Sequence, residues 1–193
     1  MNSTSITPKR EPSAAEALFL RASAGDLMFR SHGLRVAALS VCIGTAFGLR
    51  PRELETLELA AKLHDVGKLA VPRSILAKCG PLDDDEWAAV RIHPAEGARL
   101  LAPFVPSDVL TIIRSHHERW DGTGYPEGLK RAQIPLGARI VAVVDAFCAM
   151  TEPRPYRPTL DEDAARSELL AQAGRQFDPA CTEQAQRLTG AAA

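Results

Sequence analysis

With 193 residues, a net charge of −1, and 46% apolar against 24% charged side chains, the chain suffices for one domain with a real core and is short for two. Aromatic residues are only 5% and Ala and Leu dominate the apolar set, which predicts packed helices. No Lys/Arg block offers a track for long nucleic acid, and no apolar run approaches the roughly 20 residues of a bilayer crossing, so a cytoplasmic protein with a small, locally held ligand is expected.

In chain order, residues 1–13 are rich in Ser, Thr, Pro and Lys and are expected to form a disordered leader, with one domain over residues 14–190. Leu27, Leu34, Ala38, Val41 and Ala46 recur at helical spacing, and Gly48 before Pro51 supplies a stop, predicting a helix over 26–47 that carries His32. Pro51 suits the first turn of a second helix, with Leu54, Leu57, Ala61 and Leu63 running on to Gly67 and with His64 and Asp65 near its end. The carboxylates of residues 83–85 favour the start of a third, running to about Leu101 and carrying His93.

Ser107 or Asp108 can cap a fourth helix that ends at His116 and His117, before a turn-rich loop, WDGTGYPEG. Residues 134–150 are apolar with a Val-rich middle. Their length exceeds a usual strand, which favours a buried helix. Two closing helices are expected over 161–174 and 179–188. Cys42, Cys79, Cys148 and Cys181 are far apart with no CxxC pair and no signal peptide, so reduced thiols are expected.

All five histidines fall in or near helical segments with charged companions. One histidine alone is most often solvated or hydrogen-bonded; five together point to a site. On a helix, the side chains of His64 and Asp65 diverge by about 100° and can approach one cation from neighbouring directions, while the second oxygen of Asp65 remains for another. Lys68, four residues after His64, places an ammonium beside them, where a phosphate would lie; its plain alternative is a solvated surface lysine. After His116 and His117, the small residues around Tyr125 let backbone approach a ligand, or simply make a stiff surface turn. Asp145 is a carboxylate inside an apolar segment, which calls for a metal or for a salt bridge to Arg139 or Arg35. Imidazole and carboxylate donors without thiolate suit iron, manganese, nickel or zinc, with iron or manganese favoured. Seven candidate ligands exceed one tetrahedral site, and two divalent cations about 3.5 to 4 Å apart would account for them and serve phosphodiester hydrolysis.

The strings HDVGKLAVPRSIL (64–76), IHPAEGARLL (92–101), HHERWDGTGYPEGL (116–129), IPLGARIVAVVDAF (134–147), RPYR (154–157) and, more weakly, QFDP (176–179) together resemble the HD-GYP family, the branch of the HD phosphohydrolases that degrades cyclic di-GMP. The resemblance implies an all-α HD-type bundle of about seven helices with the GYP loop beside the metal site. It implies hydrolysis of cyclic di-GMP to linear pGpG and/or GMP by a hydroxide activated between two metals. His32, His64, Asp65 and Asp145 would surround one metal, and Asp65 would bridge to a second held by His93, His116 and His117. Lys68 would touch the scissile phosphate, Tyr125 would stack on a guanine, and Arg154 and Arg157 would hold phosphate or guanine edges. A signalling protein is a further possible partner. The rival readings are a non-catalytic cyclic di-GMP sensor or protein-docking module, and an HD hydrolase of mononucleotides.

The chain departs from the family pattern in four places. Met28, read as a helix core residue, stands where some members place a glutamate for a third metal, and Asp26 is poorly placed to replace it. Cys148 stands for a frequent aspartate, Glu152-Pro153 for Ser-Asp, and Arg157 for lysine in some members. None of these removes a ligand of the two-metal site.

Overall fold

The structure, a computed structural model, describes residues 13–24, 27–153 and 159–187. It is all-α, as expected. Helix α1 (Ala14–Ala22) starts at a capping box in which Ser13 accepts from the Glu16 backbone and Glu16 accepts from that of Ser13. The long α2 (Leu27–Ala46) packs against α3 (Pro51–Leu63), which Pro51 opens. A 3-10 turn (Val66–Ala70) and the short α4 (Arg73–Leu76) follow. Next come α5 (Asp84–Arg91), α6 (His93–Leu101) and α7 (Ser107–Ser115), with α7 lying against both α3 and α6. A second 3-10 turn (Arg131–Gln133) leads into α8 (Leu136–Thr151), and α9 (Glu162–Ala171) and α10 (Pro179–Ala185) close the bundle.

Helix α8 is central, packing against α2, α7, α9 and α10. Ile140, Val141, Val143, Val144, Phe147 and Cys148 are fully buried, so the helix is apolar nearly all round. The few tenths of a kcal/mol that each β-branched residue costs a helix are outweighed by about 1.5 to 3 kcal/mol for burying its side chain.

Four expectations need correction. The single helix expected from residues 83–85 to Leu101 is two, α5 and α6, because Pro94 has no N–H to continue the ladder of α5 and instead opens α6. The second helix ends at Leu63, not Gly67, and gives way to the 3-10 turn, so His64 and Asp65 leave a helix end rather than sit within one. The fourth helix has Pro106, not Ser107 or Asp108, at its N-cap, with no side-chain cap. Met28 is 49% exposed rather than part of the core, because α2 begins at the surface, where Leu27, Arg30 and Ser31 are exposed as well. These breaks, with the short α1 and α4, give more helical segments than the seven expected. Residues 1–12 of the expected leader lie outside the described residues, as do Asp26 and the end of the last expected helix. Among the described residues, no helix is long and apolar enough to cross a membrane.

Candidate metal centre

Five helices or their ends bring the predicted ligands together. His32 comes from α2, His64 and Asp65 from the end of α3, His93 from the start of α6, His116 and His117 from the end of α7, and Asp145 from α8. The turn after Asp65 can lie against α6 only because residue 67 is glycine: a Cβ there would stand 1.9 Å from the His93 carbonyl oxygen and 2.5 Å from the Gly97 nitrogen. That backbone approach sets Asp65 Oδ1 3.3 Å from His93 Nε2. The other oxygen, Oδ2, lies 3.5 Å from His64 Nε2 and 2.5 Å from Lys68 Nζ. Asp65 therefore turns one oxygen toward each of two histidine groups.

Two sets of ligand atoms, each closer than 4.8 Å internally, follow from this: His32, His64 and Asp65, and His93, His116 and His117. Asp145 joins the first, with Oδ1 3.0 Å from His32 Nε2 and 3.7 Å from His64 Nε2. The salt bridges considered for Asp145 do not form, since Arg139 pairs with Asp178 at 2.5 Å and Arg35 lies 3.5 Å from Glu152.

The protons on these imidazoles can be placed. Nδ1 of His64 lies 2.7 Å from the Ala61 carbonyl, that of His93 2.8 Å from Val90, and that of His116 2.6 Å from Ile113. A carbonyl only accepts, so each Nδ1 carries a proton, and in the neutral ring each Nε2 turns a lone pair into the site. His93 and His116 then oppose two lone pairs at 3.3 Å, and His64 Nε2 is buried with no hydrogen-bond partner. Lone pairs and carboxylate oxygens converging on one interior point require positive charge there. A divalent cation fits that donor set, and its charge would meet ligands already aimed by their second nitrogens.

The two sets differ in electrostatics. Burial disfavours the His32 cation, but hydrogen bonds to Asp145 and Glu152 outweigh it and raise its pKa to about 9. Burial also opposes ionisation of Asp65 and Asp145, yet Lys68 and His64 for the first, and His32 and His64 for the second, hold both well below the ordinary carboxylate range. On the other side, burial pushes His117 down to about 4 and, with His117 and His64 as neighbours, His116 well below its ordinary value.

The GYP loop borders the second set. The Tyr125 ring stacks on His117 at 5.0 Å and 28°, and the Arg91 guanidinium lies 5.8 Å from the Tyr125 ring centre. Gly124 is pressed against the backbone, where a Cβ would stand 2.3 Å from the Arg119 nitrogen. Arg154 and Arg157 lie outside the described residues.

Sequence reasoning missed Glu118. It is 3% exposed and accepts from the backbone N–H of Glu127 at 2.7 Å and of Leu129 at 3.0 Å, closing the loop that starts beside His117. The available signal was an acid directly before a Gly-rich loop, whose backbone donors need acceptors. The QFDP string also has a structural part, in that Asp178 caps α10 and pairs with Arg139. Cys148 is fully buried and its thiol is pushed up by burial, so it belongs to the core of α8 rather than to the site.

The HD domain family model matches residues 15–181. The chain belongs to the HD domain family. Divalent metal use goes with that family, and the His/Asp cluster lies within the matched span. The chain is 44% identical over 153 residues to the cyclic di-GMP phosphodiesterase response regulator RpfG of Xanthomonas campestris pv. campestris, covering 77% of this chain and 40% of that protein. It is 38% identical over 156 residues to 3'3'-cGAMP-specific phosphodiesterase 2 of Vibrio cholerae serotype O1, covering 79% of this chain and 30% of that one. The chain thus spans less than half the length of these curated relatives. In fold it resembles Bd1817, a HDG"Y"P protein from Bdellovibrio bacteriovorus, with a TM-score of 0.67 at 23% identity over 81% of this chain and 50% of that one. The HD-GYP resemblance drawn from the motifs agrees with these likenesses.

Proposed function

We propose that this domain is a metal-dependent phosphodiesterase that hydrolyses cyclic di-GMP to linear pGpG and/or GMP, using two divalent transition metal ions, iron or manganese before nickel or zinc. The observation that carries the reading is Asp65, whose two oxygens face two separate groups of histidine side chains. His32, His64, Asp65 and Asp145 would hold one ion, and Asp65, His93, His116 and His117 the other. Bound there, two divalent ions would supply Lewis acidity toward the phosphoryl oxygens and lower the pKa of a water.

The side chains do the rest. Asp65 fixes the separation of the two groups. Lys68, its ammonium 2.5 Å from Asp65 and a third exposed, would touch the scissile phosphate as charge develops on its oxygens. In the reaction a water oxygen joins phosphorus, the ester bond breaks, and the leaving ribose oxygen takes a proton. Tyr125 is assigned to a guanine base, and Arg154 and Arg157 to phosphate or guanine edges. A signalling-protein partner and a cytoplasmic setting complete the reading.

The likeness to a relative named for 3'3'-cGAMP favours a second substrate for the same chemistry. The test is an assay of manganese- or iron-loaded protein with cyclic di-GMP, 3'3'-cGAMP, a generic aryl phosphodiester, a mononucleotide and an oligonucleotide. Preferred turnover of cyclic di-GMP is expected. Preference for 3'3'-cGAMP would keep the chemistry and change the base assignment, activity on the mononucleotide alone would discard the phosphodiesterase reading, and binding of cyclic di-GMP without hydrolysis under any metal would make the domain a sensor.

A further inference from the structure

Of the four imidazoles whose Nδ1 is engaged, three use the backbone and one does not. His64, His93 and His116 each follow the end of a helix, where the carbonyls of the last turn are left short of N–H partners, and each donates Nδ1–H to the carbonyl three residues back. His32 has no such carbonyl. It lies inside α2, where the preceding carbonyls are taken up by the helix's own N–H groups. Its Nδ1 instead lies 2.8 Å from Glu152 Oε2, contributed by a residue 120 positions away at the C-terminal cap of α8. Asp145, seven residues before Glu152 and so on the same side of α8, meets the other nitrogen at 3.0 Å.

Glu152 is itself braced. Arg35, one turn beyond His32 on α2, puts Nη1 3.5 Å from Glu152 Oε1 and donates from the same nitrogen to Thr151 Oγ1 at 2.9 Å. Thr151 in turn donates to the Phe147 carbonyl at 2.9 Å. The carboxylate is thus fixed by α2 and α8 together, and a carboxylate behind an imidazole both sets its tautomer and raises its basicity toward a cation.

We propose that Glu152 is a positioning residue of the metal centre: by accepting the Nδ1 proton of His32 it aims His32 Nε2 at the point shared with His64, Asp65 and Asp145. The proposal rests on the metal-site reading above. It assigns to a side chain the task that backbone carbonyls perform for the other three histidines, and it makes the His32 side of the centre selectively sensitive to residue 152.

The experiment titrates Mn²⁺ into metal-free wild type, Glu152→Ala, Glu152→Gln and Arg35→Met against a chromophoric chelator, with thermal melts on the same samples and imidazole ¹⁵N spectra of His32. Wild type should bind two equivalents. Glu152→Ala should weaken one of them by about 10- to 100-fold, leave the other within about 3-fold, and lose the Nδ1–H form of His32. Glu152→Gln keeps an acceptor oxygen and should recover most of the loss, and Arg35→Met should weaken the same equivalent to a smaller extent. A role limited to ending α8 would lower the melting temperature with both affinities unchanged, and that result would overturn the proposal, as would Glu152→Gln behaving like Glu152→Ala. If Glu152→Ala fails to fold, Glu152→Gln and Arg35→Met still decide. Wild type that binds no metal would instead sink the metal-site reading itself.

Discussion

The two halves of the centre are built on different plans. Around His93 and His116, orientation comes from carbonyls at the ends of α5 and α7, and no substitution of a side chain can remove those acceptors. Around His32, orientation comes from two carboxylates on α8, and each of these can be lost in a single mutation. Burial holds His116 and His117 toward the neutral form, His117 at about 4, while the carboxylates beside His32 raise it to about 9. One half is rigid by construction. The other can be tuned.

Asp65→Ala removes the one residue common to both halves and should have the largest effect, with turnover reduced by at least about a thousandfold and metal content falling below one equivalent. Kinetics and elemental analysis check it, and wild-type rates would refute the site. Gly67→Ala should follow, because its Cβ cannot coexist with the His93 carbonyl and must push the turn away from α6, parting the halves without touching a ligand. We expect about 3 kcal/mol of lost stability, a melting temperature lower by roughly 10 °C, and loss of shared metal binding.

Tyr125→Ala acts on the backbone-set half, since among the site histidines of the described residues it is His117 that stacks on that ring. Losing a stacked base contact of about 1 to 3 kcal/mol should raise KM more than it lowers kcat. Equal falls in kcat and kcat/KM would show that the ring serves the transition state instead.

The smallest effect sharpens the electrostatic contrast in metal-free protein. Between about 9 and the ordinary histidine value of 6.5, folded His32 binds a proton that the unfolded chain has released, so its stabilisation is complete below 6.5 and lost as pH rises through 9. His117 has the opposite sign: between 6.5 and about 4 the unfolded chain binds the proton first, and stability falls as pH falls. The melting temperature of the metal-free form should therefore peak near pH 6.5 and drop by a few degrees on each side. Calorimetry from pH 4 to 9 measures this, and a steady climb above pH 6.5 would contradict the His32 arrangement.

What the sequence revealed and hid follows the same division. The helical class and the gathering of His32, His64, Asp65, His93, His116, His117 and Asp145 were legible, because spacing, residue type and motif order are local properties. The break before His93 was overlooked although Pro94 announced it. Glu152 read only as a departure from a family pattern, because its partner lies 120 residues away and nothing local marks the pairing. Glu118 was hidden for a related reason, since its partners are backbone N–H groups, which carry no signature of their own. Met28 misled because periodicity reports which face of a helix a residue occupies and not whether that stretch of helix is covered.

The GYP loop is also held from the far end of the chain, where Trp120 N–H donates to the Gln176 carbonyl at 3.0 Å and Asp121 N–H to that of Arg175 at 2.9 Å. These bonds run between main chains, so almost any residue other than proline can supply the donors and any residue at all the acceptors. Evolutionary drift can replace every side chain along this strut and leave the loop where it is, so aligned sequences would carry no trace of it. A one-residue deletion between 171 and 178 would be another matter, because it would shift the acceptors out of register and be felt at Tyr125 without altering a residue of any motif.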